Sequence, residues 1–550
     1  MEQSYILVEG VNIYANVFDT NQLSVIRGSS FLLKRAIEKI ETAFCHTNSK
    51  QLLAISTGAS SGLFVVNSTT STRQMVQDIV NVLNDPANDF SLLTFIVESC
   101  TASSLLQAKE QLLAQLRITQ LQSLSLVPDA VQLGNPELAY PDTLEGRRIA
   151  TQEYREVIQK KPRQLSHSTY RRWQRGQVLK QSYYFSETSK QEKKFKQLDG
   201  YAFSNNFEEL ADNPAYTKLN AKMAVIYMDG NSFSTLQRSM LTGAADQIQA
   251  QQEFDCSIQT YRSEFLYAVL KEMISEYPDS RLADALQNDH KTLRFETLLW
   301  GGDEMLFVMP AWLGFAFLQY FFDISQTWMM DDKKLTHAAG LVFCNAHTPI
   351  KNVRDLAQNL AEKVKETTAE DSINKISGRE QNAWSYMVLE SIDYPTSSDI
   401  DDFNRQHYGD LFSKPTLIPA AKNWQSLQEP LKQLIYDGLL PRRQLYRIVQ
   451  SISAADKPSD ILPHLADNKP WDARLSEQKL TDLTALEQSE LQLLEVATDK
   501  ATLLAVLIQA AGQLFGLNIN ESNERLCFWV YLYDLWDYLL PEVTQQGEQP

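Results

Sequence analysis

Two short apolar runs, residues 295–300 and 305–309, are rich in aromatic and branched side chains and flank Gly301, Gly302, Asp303 and Glu304. Runs of that length and composition read as strands, and the paired glycines supply the positive φ that a tight hairpin needs. Asp303 is therefore expected at a rigid hairpin tip. A third run, residues 224–228, is continuously apolar, as in a buried strand, and passes directly into Asp229, Gly230 and Asn231. A helix is expected from about Ser234. Toward the C-terminus the period changes: residues 431–453 and 481–516 place apolar side chains at helical spacing, and residues 525–540 read as one buried, aromatic-rich helix.

Length and charge narrow the reading. At 550 residues the chain is too long for one core, and three or four domains are expected. No apolar run is long enough to span a bilayer and the N-terminus lacks a secretory pattern, so a cytoplasmic protein without membrane contact is expected. Cys45, Cys100, Cys256, Cys344 and Cys527 are scattered without a CxxC pair, which argues against a disulfide framework and a zinc ribbon. A formal charge of −17 disfavours nonspecific nucleic-acid binding over most of the surface. One segment breaks that trend: residues 147–196 hold fourteen Lys and Arg against four acids, interleaved with aromatics. Such a pattern tracks phosphates and stacks bases, or it is a connector whose aromatics pack against its neighbours.

The acidic strand ends carry the chemistry. Phosphoryl transfer uses two Mg²⁺ ions roughly 4 Å apart, held by a few carboxylates and by the substrate's phosphates. Two strands ending in Asp229 and Asp303 suit that need, although glycine and acids also favour hairpin turns for structural reasons alone.

MDGNSFSTL, LLWGGDEMLFVMP and THAAGLVFCNAHTPIKNVRDLAQNLAEKVKE, in that order, resemble the catalytic palm shared by diguanylate cyclases and the large polymerase-like subunit of type III CRISPR effectors. That palm runs strand, two helices, hairpin, helix, strand, helix, strand. Residues 315–329 would supply a helix, 335–344 a strand, 353–366 a helix and 384–389 a strand. The resemblance implies that Asp229 and Asp303 hold two Mg²⁺ or Mn²⁺ ions, with the Gly230 carbonyl and Glu304 assisting. It also places Asn231, Gly301, Gly302 and Lys365 around a nucleoside triphosphate, Lys365 where the family has a lysine that reaches the phosphates.

The first residues point to the CRISPR subunit rather than the cyclase. Residues 10–18 and Arg27-Gly28-Ser29-Ser30 resemble the opening of its first palm, where an Arg-Gly-small-Ser turn starts a long helix. Residues 55–66 then look like a second copy of the hairpin, with small residues in place of the acids. The expected fold is α+β: two ferredoxin-like palms of the nucleotidyl cyclase and polymerase type forming an internal pseudo-dimer, plus a helical C-terminal domain. The expected divisions are a degenerate first palm at 1–117, a basic helical connector at 118–213, the catalytic palm at 214–400 and a helical domain at 401–550. The sequence departs from the family in the expected lack of its nuclease and zinc insertion, and the resemblance implies an enzyme that joins NTPs into a cyclic or linear oligonucleotide messenger with release of pyrophosphate. By analogy the product would activate a downstream effector protein in defence against phage. Two alternatives stay open. One is a non-catalytic subunit of an RNA-guided complex, docking RNA or CRISPR-type subunits through the basic connector. The other is a diguanylate cyclase-like enzyme, against which stands the missing Arg-x-x-Asp before the hairpin, since Thr297 lies three residues after Arg294.

Overall fold

A computed structural model of the chain describes residues 2–46, 50–58, 60–125, 127, 140–151, 155–158, 161–188, 198, 200–275, 280–287, 291–390, 395, 400–408, 417–436, 440–453 and 501–542. Its principal strands are β1 (Gln3–Val11), β2 (Leu52–Thr57), β3 (Ser61–Val66), β4 (Thr94–Ala102), β5 (Lys222–Gly230), β6 (Glu296–Gly301), β7 (Glu304–Pro310), β8 (His337–Asn345), β9 (Ala383–Val388) and β10 (Ile418–Pro419). The principal helices are α1 (Leu23–Phe44), α2 (Thr72–Asn84), α3 (Leu105–Gln122), α4 (His167–Val178), α5 (Lys180–Thr188), α6 (Phe233–Gly243), α7 (Gln247–Met273), α8 (Ala311–Ser325), α9 (Ile350–Glu366), α10 (Trp424–Tyr436), α11 (Arg442–Ser453), α12 (Ala501–Gly512) and α13 (Ser522–Leu539).

These elements form two compact units that are not contiguous in sequence. One comprises Met1–Leu210, Ser232–Val308 and Pro349–Lys351, the other Ala211–Asn231, Met309–Thr348 and Asn352–Pro550.

In the first unit the order β1-α1-β2-β3-α2-β4-α3 builds an antiparallel sheet β2-β3-β1-β4, the split βαβ arrangement of a ferredoxin-like palm. The strand period of two explains its core. Tyr5, Leu7 and Val11 of β1 share a buried cluster with Leu63, Val65 and Ile96, and with Leu105, Ala108, Leu112 and Leu116 of α3. Ile6, Val8 and Phe64 point to the opposite face and are also fully buried. Side-chain caps start several helices: Ser71, Ser104 and Ser166 accept from Gln74, Gln107 and Thr169 N–H, and Asp246 accepts from Ile248 and Gln249.

Arg27-Gly28-Ser29-Ser30, expected as a turn, lies inside α1, whose N-cap is Gln22. Glycine and serine suggested the turn, but here small size serves a helix crossing. A Cβ on Gly28 would lie 1.8 Å from the Arg172 carbonyl oxygen, and one on Gly176 would lie 1.8 Å from that of Ser24. Thus α1 and α4 touch backbone to backbone.

In the second unit β5 pairs antiparallel with β8 over nine positions, from Lys222 opposite Asn345 to Gly230 opposite His337. Strand β8 then pairs parallel with β9, and β9 antiparallel with β10. Tyr538 of α13 stacks on Phe343 of β8 at 3.9 Å between centroids, and Asp534 accepts a 3.0 Å hydrogen bond from Tyr386 of β9. Along the chain the order β5, α6, α7, β6, β7, α8, β8, α9, β9 is that of a palm, so the α+β reading with two palms and a helical C-terminal region stands.

Boundaries differ where side-chain pattern misled. Helix α8 begins after Pro310 and ends at Ser325, because Met329 and Met330, which prolong the apolar pattern, belong to a short two-stranded ribbon closed by Asp331 at φ +50°. Of the helical stretch expected at 481–516, residues 481–500 lie outside the described residues, and the remainder contains α12.

Candidate functional site

Strand β5 is buried from Met223 to Met228 and leaves the sheet with a half-buried Asp229 and a buried Gly230. Its neighbours in the second unit hold this end in place. Lys365, in the last turn of α9, brings Nζ to 2.5 Å from Asp229 Oδ2 and donates to the Gly230 carbonyl at 2.7 Å. Asn231 is buried; its backbone N–H donates to Thr336 O at 2.8 Å, and Nδ2 donates to Thr336 Oγ1 at 3.0 Å and to Gly378 O at 3.1 Å. The amide of Asn231 thus ties two loops behind the strand end. His337, opposite Gly230, is framework: it lies edge-on to Phe321 and Trp328, at 5.1 and 5.3 Å between centroids. Burial first, and then the charge of Lys365, lower its pKa to about 3, so it is neutral.

The hairpin β6–β7 forms as expected in the first unit, closing at the pair Gly301 and Glu304. Gly302, at φ +28°, supplies the left-handed residue; Gly301 does not, so one glycine rather than two makes the turn. Asp303 is half-buried and Glu304 exposed. The register shifts between Thr297 and Leu299, and the first palm's hairpin shifts likewise between Ala54 and Ser56. Each bulge turns one extra apolar side chain, Leu298 or Ile55, into the core. No carboxylate stands in the β2–β3 turn.

Strand β6 is fastened by buried polar contacts that its own sequence does not reveal. Glu296, fully buried, accepts from Arg27 Nε at 2.9 Å and from Lys180 Nζ at 2.6 Å, and also pairs with Arg27 Nη2. Burial raises the Glu296 pKa, but Arg27 and Lys180 outweigh it and hold the carboxyl below its usual range. Burial and the Arg27 charge push Lys180 down to about 7, against the pull of Glu296. Tyr184 Oη accepts from the Thr297 N–H at 3.1 Å, Ser30 donates to Leu298 O at 2.9 Å, and Trp300 Nε1 donates to Glu187 at 2.7 Å, a carboxylate that also pairs with Lys34.

Four arginines of the basic segment are held in the same way. Arg172, with no exposed surface, meets Asp19 in a two-pronged pair at 3.0 and 2.7 Å, and Arg148 meets the same carboxylate at 3.0 Å. Arg171 and Arg175 both pair with Asp89, at 2.9 and 2.7 Å. At these four positions the guanidinium groups are engaged by Asp19 and Asp89 rather than left free for phosphates; residues 152–154, 159–160 and 189–197 lie outside the described residues.

Among the described residues no group of three or more His, Cys, Asp or Glu is gathered so as to hold a metal, and no helix is long and apolar enough to cross a membrane. Asp229 with Gly230, and Asp303 with Glu304, belong to different units.

Residues 222–374 match the family model "Cas10/Cmr2, second palm domain", a span that includes Asp229, the Gly301 to Glu304 hairpin and Lys365. The resemblance to the type III CRISPR large subunit stands on that match. No curated protein matches the chain. Among solved structures, the Csm1-Csm4 cassette in complex with cA4 is similar at 13% identity, covering 93% of this chain and 70% of that chain with a TM-score of 0.42. A type III-B Cmr-beta structure in the apo state is similar at 9% identity, covering 87% of this chain and 79% of that chain with a TM-score of 0.45.

Proposed function

We propose that this chain is a palm-domain nucleotidyltransferase of the type III CRISPR large-subunit kind, joining nucleoside triphosphates into an oligonucleotide messenger with release of pyrophosphate. The observation that carries the reading is the family match over 222–374, which spans every candidate site residue from Asp229 to Lys365. The donors are all oxygen: the carboxylates of Asp229, Asp303 and Glu304 and the Gly230 carbonyl. That set suits hard Mg²⁺ or Mn²⁺. Bound ions would supply charge stabilisation at the α-phosphate and a more acidic attacking hydroxyl.

The chain's own residues then orient the reactants. Gly301 and Gly302 carry no side chain, so phosphates can approach the hairpin backbone. Asn231 fixes the loop after Asp229 through Thr336 and Gly378. Lys365 contacts the Asp229 carboxylate in this structure and, on this reading, turns its ammonium to the triphosphate when ions occupy the site. The reading requires Asp229 and Asp303 to act on the same ions. Purified chain incubated with each labelled NTP and Mg²⁺ or Mn²⁺ should yield oligonucleotides and pyrophosphate, and Asp303→Asn or Asp229→Asn should abolish them. Product from either variant at the wild-type rate would sink the assignment.

A second reading, a non-catalytic subunit of an RNA-guided complex, is favoured by the Lys365 contact, which already neutralises Asp229. It expects no product from any NTP, and RNA or partner subunits that co-purify.

A further inference from the structure

Helix α3 is apolar on both of its sides. Leu105, Ala108, Leu112 and Leu116 are buried against the first sheet, while Leu113, Ile118, Leu121 and, just past the helix end, Leu124 are 43%, 58%, 88% and 69% exposed. A helix that borders solvent normally turns a polar face outward, as α2 does with Gln74, Gln77 and Asn81. A helix that is apolar all round is one that becomes covered. Four large aliphatic side chains within the span 113–124 make an apolar patch of the kind that marks an interaction surface. The patch is not a frayed end: Gln120 Nε2 donates to Asn12 Oδ1 at 3.1 Å and Asn12 Nδ2 to the Leu124 carbonyl at 3.3 Å, which fastens the outer half of α3 to the residue after β1.

Charge on this side of the helix is sparse and ordered. Glu110 and Arg117 are two turns and about 10.5 Å apart along the axis, so both lie on the outward side, with Leu113 and Ala114 between them. Their contacts within the chain are peripheral. Glu110 meets Arg238 of α6 with both side chains well exposed, and Arg117, also exposed, meets Glu9 at 3.8 Å. Exposed pairs of that kind contribute little and exchange readily. The arrangement is also self-complementary. When the helix is turned end for end about a point between Leu113 and Ala114, Glu110 comes to lie opposite Arg117, Arg117 opposite Glu110, and Leu121 opposite the partly buried Leu106. The small Ala114 then stands at the crossing, where the two backbones come closest.

We propose that this face docks a second copy of the chain, the two α3 helices pairing antiparallel about a two-fold axis between Leu113 and Ala114. A two-fold contact requires one patch that complements itself, and the spacing of Glu110 and Arg117 meets that requirement. Burial of the leucines provides the attraction, and the two symmetric ion pairs set the register. One helix of about 27 Å offers less than the roughly 800 Å² per partner of a standard interface, so the dimer dissociates in the micromolar range.

The test is sedimentation velocity of the full chain across the micromolar range, without nucleotide or divalent metal. Wild type should pass with rising concentration from the mass of one chain, 62.7 kDa, to that of two. Leu113→Glu sets two carboxylates against each other at the axis and should weaken association at least about a hundredfold. Glu110→Arg and Arg117→Glu should each be monomeric alone, because like charges then meet at both ends of the contact. An equimolar mixture of these two variants should recover the dimer, since opposite charges face each other again in the mixed pair. Contacts within each chain are the same alone and in the mixture, so recovery reports only the contact between copies. All three positions are exposed, and circular dichroism and melting temperature should match wild type. A wild type that keeps the mass of one chain throughout overturns the proposal, as a surface meant for a different protein would require. A dimer that Leu113→Glu leaves intact, or a mixture that stays monomeric, also overturns it. No substrate or turnover enters the measurement, so its outcome is independent of the proposed synthase activity.

Discussion

Lys365 Nζ sits 2.5 Å from Asp229 Oδ2 and 2.7 Å from the Gly230 carbonyl oxygen, so an ammonium already lies between the two oxygens proposed to receive a divalent ion. Two cations cannot share one pair of donors at that range. Removing the ammonium as Lys365→Met is expected to tighten Mn²⁺ binding by roughly tenfold, the scale of one close charge at a partly exposed site. Asp229→Asn should remove the binding. Electron paramagnetic resonance of free Mn²⁺ checks both, and weaker binding by Lys365→Met would show that the lysine supports the ion instead of competing with it.

Glu296 is the carboxylate that pairs with both Arg27 and Lys180. Glu296→Gln leaves two buried cations without their shared partner, and a loss of about 3–5 kcal/mol in urea unfolding is expected. The folded carboxyl is depressed, so its stabilising contribution is present above its ordinary value near 4.5 and disappears as pH falls through the lower folded value. A loss under 1 kcal/mol would mean that water reaches the group.

His337 gives an acid sensitivity of known sign. Its folded pKa of about 3 lies below the ordinary 6.5, so below pH 6.5 the unfolded chain takes up a proton that the folded chain refuses. Between pH 7 and pH 5 this group should withdraw about 2 kcal/mol of stability. His337→Gln should lack that increment, measured by denaturant unfolding at the two pH values.

The arginines of the basic segment predict stability effects rather than nucleic-acid binding. Arg172→Ala strands Asp19 with Arg148 alone and should cost about 3–5 kcal/mol. Polynucleotide affinity, read by anisotropy, should lack the steep salt dependence that six to ten phosphate contacts impose, a loss of about a thousandfold or more between 50 and 200 mM salt. Retained stability with lost RNA binding would restore the docking role.

Much of this was legible in the chain because it is local. The apolar run ending in Asp229 and the glycine-marked hairpin at Asp303 each lie within ten residues, where strand period and turn chemistry decide the backbone. What escaped is non-local. Arg27 finds Glu296 across 269 positions and Arg172 finds Asp19 across 153, and no spacing rule connects them. The two bulges were also hidden, since residues 297–299 and 54–56 read as uninterrupted strand. Gly28 was noticed for the wrong reason: a glycine between an arginine and serines resembles a turn, and only the crossing helix reveals why a side chain is excluded.

The interleaving of the two units has a consequence for synthesis on the ribosome. Residues up to Leu210 cannot complete the first unit alone, because Ser232–Val308 must be added, and the chain makes Ala211–Asn231 of the other unit before it reaches them. At about 5–20 residues per second, some seconds separate the emergence of the first sheet from that of the segment that finishes its unit. During that interval surfaces destined to meet α6 and α7 stay uncovered, a window in which a nascent-chain chaperone has something to hold.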